Sequence, residues 1–431
     1  MSIRSLRRLG ALGLAGALLA ATAACGGSSG GDDGTVELRF SWWGNNDRAA
    51  ATQKVIDAFQ KQNPGIKVTG SFADFNAYFD RLATEVASGD APDVITLGGA
   101  YPREYGDRGA LLDLATVKDV LKTDKIDKAA LGNGNFGDTQ YGVPSGVNAI
   151  GVVVDPVVFE KAGVELPDDE TWTWDDFKRI AKEIAAKSPK GTFGLADPTK
   201  TDMLDIFSRQ RGEALYTADG KVGISEQTLI DWWNMTLELR DSGATPSASQ
   251  TAELITQPAP EQSLIGRGLA GMQFDWSNQI GALRKASGHP LRLMRVPGET
   301  GAKQPGSWLQ ASQLYTINAK TEHPKEAAKF VDFLVNSPEA GKIILTDRGI
   351  PSNSDVRTAI EPGLDEDQKV QVDYISGLTP KAGPPLVIGP TGSTDTPHIL
   401  DRVNAEVLFN RLKPADAAKE FISQVTAAIQ Q

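Results

Sequence analysis

Reactive side chains are scarce in this sequence. It has one cysteine, Cys25, and three histidines in 431 residues. A lone cysteine excludes a disulfide framework, so a large apolar core must hold the fold. His289, His323 and His398 are scattered and offer no metal-ligand spacing. Neither an H-E-x-x-H motif nor a phosphate-cradling P-loop occurs. No cofactor is expected. Positive charge is in deficit as well: 44 Lys and Arg stand against 55 Asp and Glu, a net charge of −11. A phosphate backbone needs a basic footprint, so nucleic acid is excluded as an expected partner. Beyond the first 25 residues no apolar run reaches the ~18 residues of a membrane span.

The first residues are the exception. Arg4, Arg7 and Arg8 form a basic start, and "LGALGLAGALLAATAA" follows, apolar and rich in small residues. It is too short for a comfortable span and has the form of an export signal over residues 1–24. It ends at Cys25. "TAAC" resembles the processing site of bacterial lipoproteins, where cleavage leaves a lipidated N-terminal cysteine. Thr22 departs from the leucine usual at that site. "GGSSGGDDG" completes a flexible tether over 25–34. The expected mature protein sits outside the cell, tied to the outer face of the membrane through Cys25.

The rest is globular in composition, 40% hydrophobic and 23% charged. Its length suggests two lobes rather than one core. "TVELRFSW" alternates Val36, Leu38, Phe40 and Trp42 with polar residues, a strand pattern. A helix follows with Ala51, Val55 and Phe59 on one face, stopped by "NPG". "IKVTGSF" is a second strand and "DVITL" a third. Between them "FNAYFDRLATEVASG" carries Phe75, Phe79, Leu82 and Val86 at helical spacing. Strands alternating with helices in this way predict an α/β fold with a mostly parallel sheet. Further on, Thr173 and Asp176 have capping-box spacing. Pro324 lies in a first helical turn, and Ser337 caps a helix that has Pro338 just inside.

Ligands of such sheets bind beyond the carboxyl ends of the strands. Neighbouring residues on a strand face opposite ways. Trp42 therefore continues the buried alternation of the first strand, while Trp43 is free to line a site. "FDWSNQ" sets Asp275, Trp276, Ser277 and Asn278 after an apolar run, as a strand end facing a cleft would. "GSWLQAS" places Trp308, Gln310 and Ser312 on one side at period 2. Aromatic plates with amides and carboxylates suit the C–H faces and hydroxyls of sugars. Trp172, Trp174, Trp232 and Trp233 lie at a helix start or within helices and are expected to pack.

Several stretches, taken in order, resemble a known family. "RFSWWGNNDRAAATQKVIDAFQKQNPGIKV", "LATEVASGDAPDVITLGGAY", "YGVPSGVNAIGVVVD", "FDWSNQ" and "RGIPSN" are among them. From about residue 35 to the end the chain is similar to the extracellular solute-binding proteins of ABC importers, in the carbohydrate-binding family that includes maltose-binding protein. The resemblance implies the two-lobed periplasmic-binding-protein fold, with discontinuous lobes joined by hinge strands and a ligand cleft between them. It puts 35–146 plus 312–360 in the N-terminal lobe and 149–308 plus 362–431 in the C-terminal lobe. It implies a monomer that binds a sugar, closes by hinge motion and is read by the ABC transporter permease. The lipoprotein form implies a Gram-positive envelope. By the family's pattern, Asn45 or Arg48 gives a polar contact from the first loop, Asp47 being better placed as a helix cap. Tyr101, Asn148 and Asp197 fall where relatives hold sugar. Tyr101 has an alternative role packing on its own lobe, and Asp197 one in Asp-Pro turn chemistry. An exported glycoside hydrolase is the rival class, and amino acid, peptide or polyamine the rival ligands.

Overall fold

The computed structural model describes residues 35–44, 46–98, 101–136, 138–255, 259–390 and 392–430. The export signal, Cys25 and the tether lie outside the described residues, as does Asn45. In chain order the strands are β1 (Val36–Trp43), β2 (Ile66–Ala73), β3 (Val94–Leu97), β4 (Asn135–Phe136), β5 (Thr139–Gln140) and β6 (Gly142–Asn148). There follow β7 (Ile150–Val154), β8 (Phe193–Leu195), β9 (Ala270–Trp276), β10 (Arg292–Met294), β11 (Gln310–Ile317) and β12 (Ile350–Pro351). Two sheets organise the two lobes. The first has the order β12-β6-β11-β3-β1-β2, and the second β10-β7-β9-β8.

The alternation of β1 buries Leu38, Phe40 and Trp42. These pack with Val55, Ile56 and Phe59 from the helix Asn46–Gln62 and with Phe330 and Val331 from the helix Pro324–Asn336. Local signals fall where the chain chemistry puts them. Thr173 and Asp176 form a complete capping box. Ser337 accepts from Glu339 N and Ala340 N, with Pro338 as the first helical residue. Asp47 lies in the first turn of its helix rather than ahead of it. Phe75 opens the helix Phe75–Ser88 and is 49% exposed, unlike the buried Phe79 and Leu82 of the same spacing. A first-turn residue projects past the element beneath the helix, so periodicity overstates its burial.

The sheets are mixed rather than mostly parallel. β1 runs parallel to β2 and β3, but β11 is antiparallel to both β3 and β6. The cause is the crossing between lobes. β6 leaves the first sheet, and after Ala149 the chain enters the second as β7. β11 comes back from the second lobe and joins β6 from the opposite direction. A returning strand must run against the one that left. β12 pairs with the other edge of β6, through Ile350↔Val147 and Pro351↔Gly146.

Gly146 sits at this crowded crossing. A Cβ there would lie 2.4 Å from the carbonyl oxygen of Arg348. Backbone cannot swing aside as a side chain can. Gly146→Ala is therefore expected to destabilise by about 1–3 kcal/mol, seen as a lower urea midpoint with unchanged slope.

A cleft where the two sheets meet

The strand crossing gathers residues that are far apart in sequence. Asn148 pairs with Gln310 across β6 and β11, and Ile150 pairs with Trp276 across β7 and β9. These two pairs are neighbours along one crossing strand. β1 ends nearby, at Trp43. Between them is a cavity of about 320 Å³ lined by Trp43, Arg48, Asn148, Trp276, Asn278 and Gln310, with Gln279, Ser312, Gln313, Asp347 and Arg348.

Trp43 is half-buried. Its ring packs edge-on to Phe75 at 5.6 Å and tilted against Phe79 at 5.5 Å. Gly98 makes room for it, since a Cβ there would approach the indole Cη2 to 3.1 Å. Arg48 is tied down. Its Nε donates to Asp347 Oδ2 at 2.8 Å, and Nη2 donates to the Asp347 carbonyl at 2.9 Å. Arg348 is buried beneath, donating to the Tyr315 hydroxyl and to Thr52 Oγ1. Two carbonyl oxygens in this lining stand out. Asn148 Oδ1 and Gln313 Oε1 are buried without a hydrogen-bond partner among the described residues. An unpaired buried acceptor costs about 1–3 kcal/mol.

Other expected site residues lie elsewhere. Trp308 offers no open face: it is 2% exposed, edge-on to Trp276 at 6.1 Å, and its Nε1 donates to Gln310 Oε1 at 3.0 Å. This corrects its reading as a stacking plate. The Arg209 guanidinium, 5.7 Å from the ring centre, covers it further. Ser277 is fully buried and fastens the crossing. Its backbone N–H donates to Ala149 O at 2.9 Å, and its Oγ accepts from Ala149 N at 3.3 Å. Tyr101 stacks on Phe79 at 3.8 Å and packs with its own lobe.

Asp197 and Asp275 line a separate cavity of about 470 Å³ within the second lobe. Asp275 is engaged by Trp276 N and Gln273 Nε2, both at 2.9 Å. Asp197 accepts from Thr199 N at 2.9 Å, as an Asp-Pro turn would, and burial pushes its carboxyl above the usual range. The three histidines take no part. His289 Nδ1 is 2.6 Å from Asp155 Oδ2, away from the cleft. No group of three or more His, Cys, Asp or Glu suited to a metal occurs among the described residues.

Sequence patterning misses Gln279, Gln313, Asp347 and Arg348. Period-2 counting puts Gln310 and Ser312 on one side and Gln313 on the other. The pairing of β11 with β6 is irregular between Ala311 and Leu314. Such a bulge re-aims side chains, so Gln310, Ser312 and Gln313 all reach one cavity. Asp347 and Arg348 precede the "GIPSN" stretch that holds β12, and nothing local separates them from ordinary surface charges.

Comparisons with known proteins agree with this architecture. The family described as bacterial extracellular solute-binding protein matches residues 42–341. Diacetylchitobiose binding protein DasA of Streptomyces coelicolor is 24% identical, over 96% of each chain. An uncharacterized lipoprotein of Streptomyces antibioticus is 24% identical over 75% of this chain and 72% of its own. The structure of an extracellular solute-binding protein family 1 member from Alicyclobacillus acidocaldarius superposes with a TM-score of 0.80 at 28% identity. That match covers 92% of this chain and 99% of the other. With a family match over well more than half its length and the two-lobed fold behind it, the chain belongs to the bacterial extracellular solute-binding proteins.

Proposed function

We propose that this protein is the sugar receptor of an ABC importer, held on the outer face of the membrane by a lipidated Cys25. It captures an oligosaccharide between its lobes and delivers it, as a monomer, to the permease. One observation carries the reading. Trp43 of the first lobe and Trp276 of the second line the same cavity, among amides whose carbonyls lack partners. Indole faces suit the C–H faces of a sugar ring. Asn148 Oδ1 and Gln313 Oε1 would accept from its hydroxyls, and Asn278 and Gln310 add neutral polar groups. Hinge closure around the sugar would bring the two tryptophans to opposite sides of it. The name of the DasA relative, a diacetylchitobiose binding protein, supports a saccharide.

The cavity suits a receptor better than a hydrolase. A glycosidase needs two carboxylates flanking the bond. Asp347 is the one carboxylate among the described lining residues, and Arg48 already engages it. Arg48 and Asp347 are thus engaged with each other rather than set as anchors for a zwitterionic amino acid, and Arg348 is turned to the Tyr315 hydroxyl and Thr52 Oγ1.

A thermal-shift screen of the purified protein against a saccharide panel tests this. A ligand at 100 times its Kd stabilises by about 2.7 kcal/mol, a rise of several degrees in Tm. The expected result is a selective rise with one saccharide and no turnover on chromatography. Trp276→Ala is expected to weaken that binding by about 2–3 kcal/mol, roughly 30- to 150-fold in Kd. Turnover would hand the site to the hydrolase reading. A rise with peptides or polyamines alone would end the sugar reading.

A further inference from the structure

The cleft does not stop at Gln310. A second chamber of about 550 Å³ shares Gln310 and Ala311 with the first in its walls. Both volumes fall within the usual range for ligand pockets. The chamber has an aliphatic roof. Leu386, Val387 and Ile388 line it from an irregular strap, Pro384–Pro390, that comes from the second lobe.

The strap is held at its start and across the cleft. Gly383 N donates to Ser307 O at 2.8 Å, and Arg209 Nη2 donates to Pro384 O at 2.6 Å. From the first lobe, Arg103 Nη1 donates to Ile388 O at 2.9 Å. Val387 is 40% exposed, a large aliphatic side chain with little packed against it. The roof is thus fixed in place while its apolar surface is left open.

Of the polar groups in the lining, Asp107 and Asn135 are exposed, while Asn133, Gln310 and Arg103 are committed. Asn133 lines the chamber, but its Nδ2 donates to Ala130 O and Leu309 O at 3.0 and 2.9 Å, and its Oδ1 accepts from Ala311 N at 3.1 Å. Gln310 Oε1 accepts from Trp308. Arg103 holds the strap. Tyr141 supplies an aromatic wall, stacked on Phe136 at 6.1 Å. A sugar hydroxyl turned toward the Leu386, Val387 and Ile388 side chains would lose its water and find no side-chain partner among them. A methyl group there would gain from burial instead.

We propose that this chamber binds a sugar unit carrying a methyl-bearing substituent, an N-acetyl or a deoxy sugar, beneath Leu386, Val387 and Ile388. The inference rests on the sugar reading of the cleft and narrows its ligand class.

Calorimetric titration of the purified protein with matched probes tests it. Tri-N-acetylchitotriose against cellotriose probes the acetamido methyl, and 6′-deoxymaltose against maltose probes the deoxy methyl. The expected result is binding about tenfold tighter, or more, for the methyl-bearing member of one pair. Which pair responds distinguishes the two sources. Val387→Asn, at an exposed strap position, is expected to cut that preference to about threefold or less, by weakening the methyl-bearing member while the hydroxyl-bearing one, given a polar partner, binds as well or better. Equal affinities within both pairs, or a Val387→Asn variant that weakens both members alike, would overturn the inference and leave the sugar reading standing. Failure of every probe and of the wider saccharide panel would overturn both.

Discussion

Trp308→Ala is expected to lower stability by about 3–5 kcal/mol, the range for a large aromatic removed from a core. The ring is 2% exposed and belongs to the second lobe's core. Its loss leaves a void next to Arg209 and removes the donor that orients Gln310. The readout is a fall in the urea midpoint. Trp276→Ala gives the contrasting pattern, with binding lost and the midpoint little changed, because Trp276 is only partly buried and lines the cavity. A Trp308→Ala protein of unchanged midpoint that had lost sugar binding would restore Trp308 as a ligand contact.

Asp205→Asn is expected to change how stability depends on pH. Asp205 is 8% exposed in the helix Thr201–Gln210 and accepts from Leu215 N at 3.2 Å. Burial, aided by the nearby Asp202 carboxylate, pushes its carboxyl up to about 7 despite the Leu215 hydrogen bond and Arg209. In the unfolded chain the group titrates near ~3.9. Between those values the native protein holds a proton that the unfolded chain has released. The unfolded state then binds fewer protons, so stability falls as pH rises. The contribution is full below about pH 4 and is lost by about pH 7, a span worth at most ~4 kcal/mol. An asparagine keeps the acceptor for Leu215 and cannot ionise. Relative to the parent, Asp205→Asn should gain stability from pH 5 to pH 8. Denaturant midpoints at the two pH values measure the difference. A parallel response of both proteins would show that Asp205 is ionised throughout.

Much of the local structure is legible without coordinates. The alternation in β1, the capping box at Thr173 and the proline-opened helix at Pro324 each depend on residues within a turn or two. Such signals are short-range, and they survive folding unchanged. A mostly parallel sheet follows from β1, β2 and β3 only by extrapolation, and the returning strand β11 runs against it.

The site divides in the same way. Trp43 and Trp276 lie at strand ends, and strand ends at the edge of a sheet are visible in hydropathy. Trp308 carries a similar local signal, an aromatic beside polar residues, yet it is buried. Its cover comes from Arg209, about a hundred residues earlier, and from the backbone bridge to Gly383, well after it. Gln313 reaches the cavity through an irregularity in strand pairing that only a partner strand can impose.

Taken alone, the sequence determined the elements and the family resemblance, because each rests on neighbouring residues or on their order. Tertiary structure decided which aromatic rings stay open, which carbonyls are left unpaired and where the aliphatic strap crosses the cleft. Exposure and hydrogen-bond satisfaction depend on what packs in from distant parts of the chain, and no local window of sequence contains that partner.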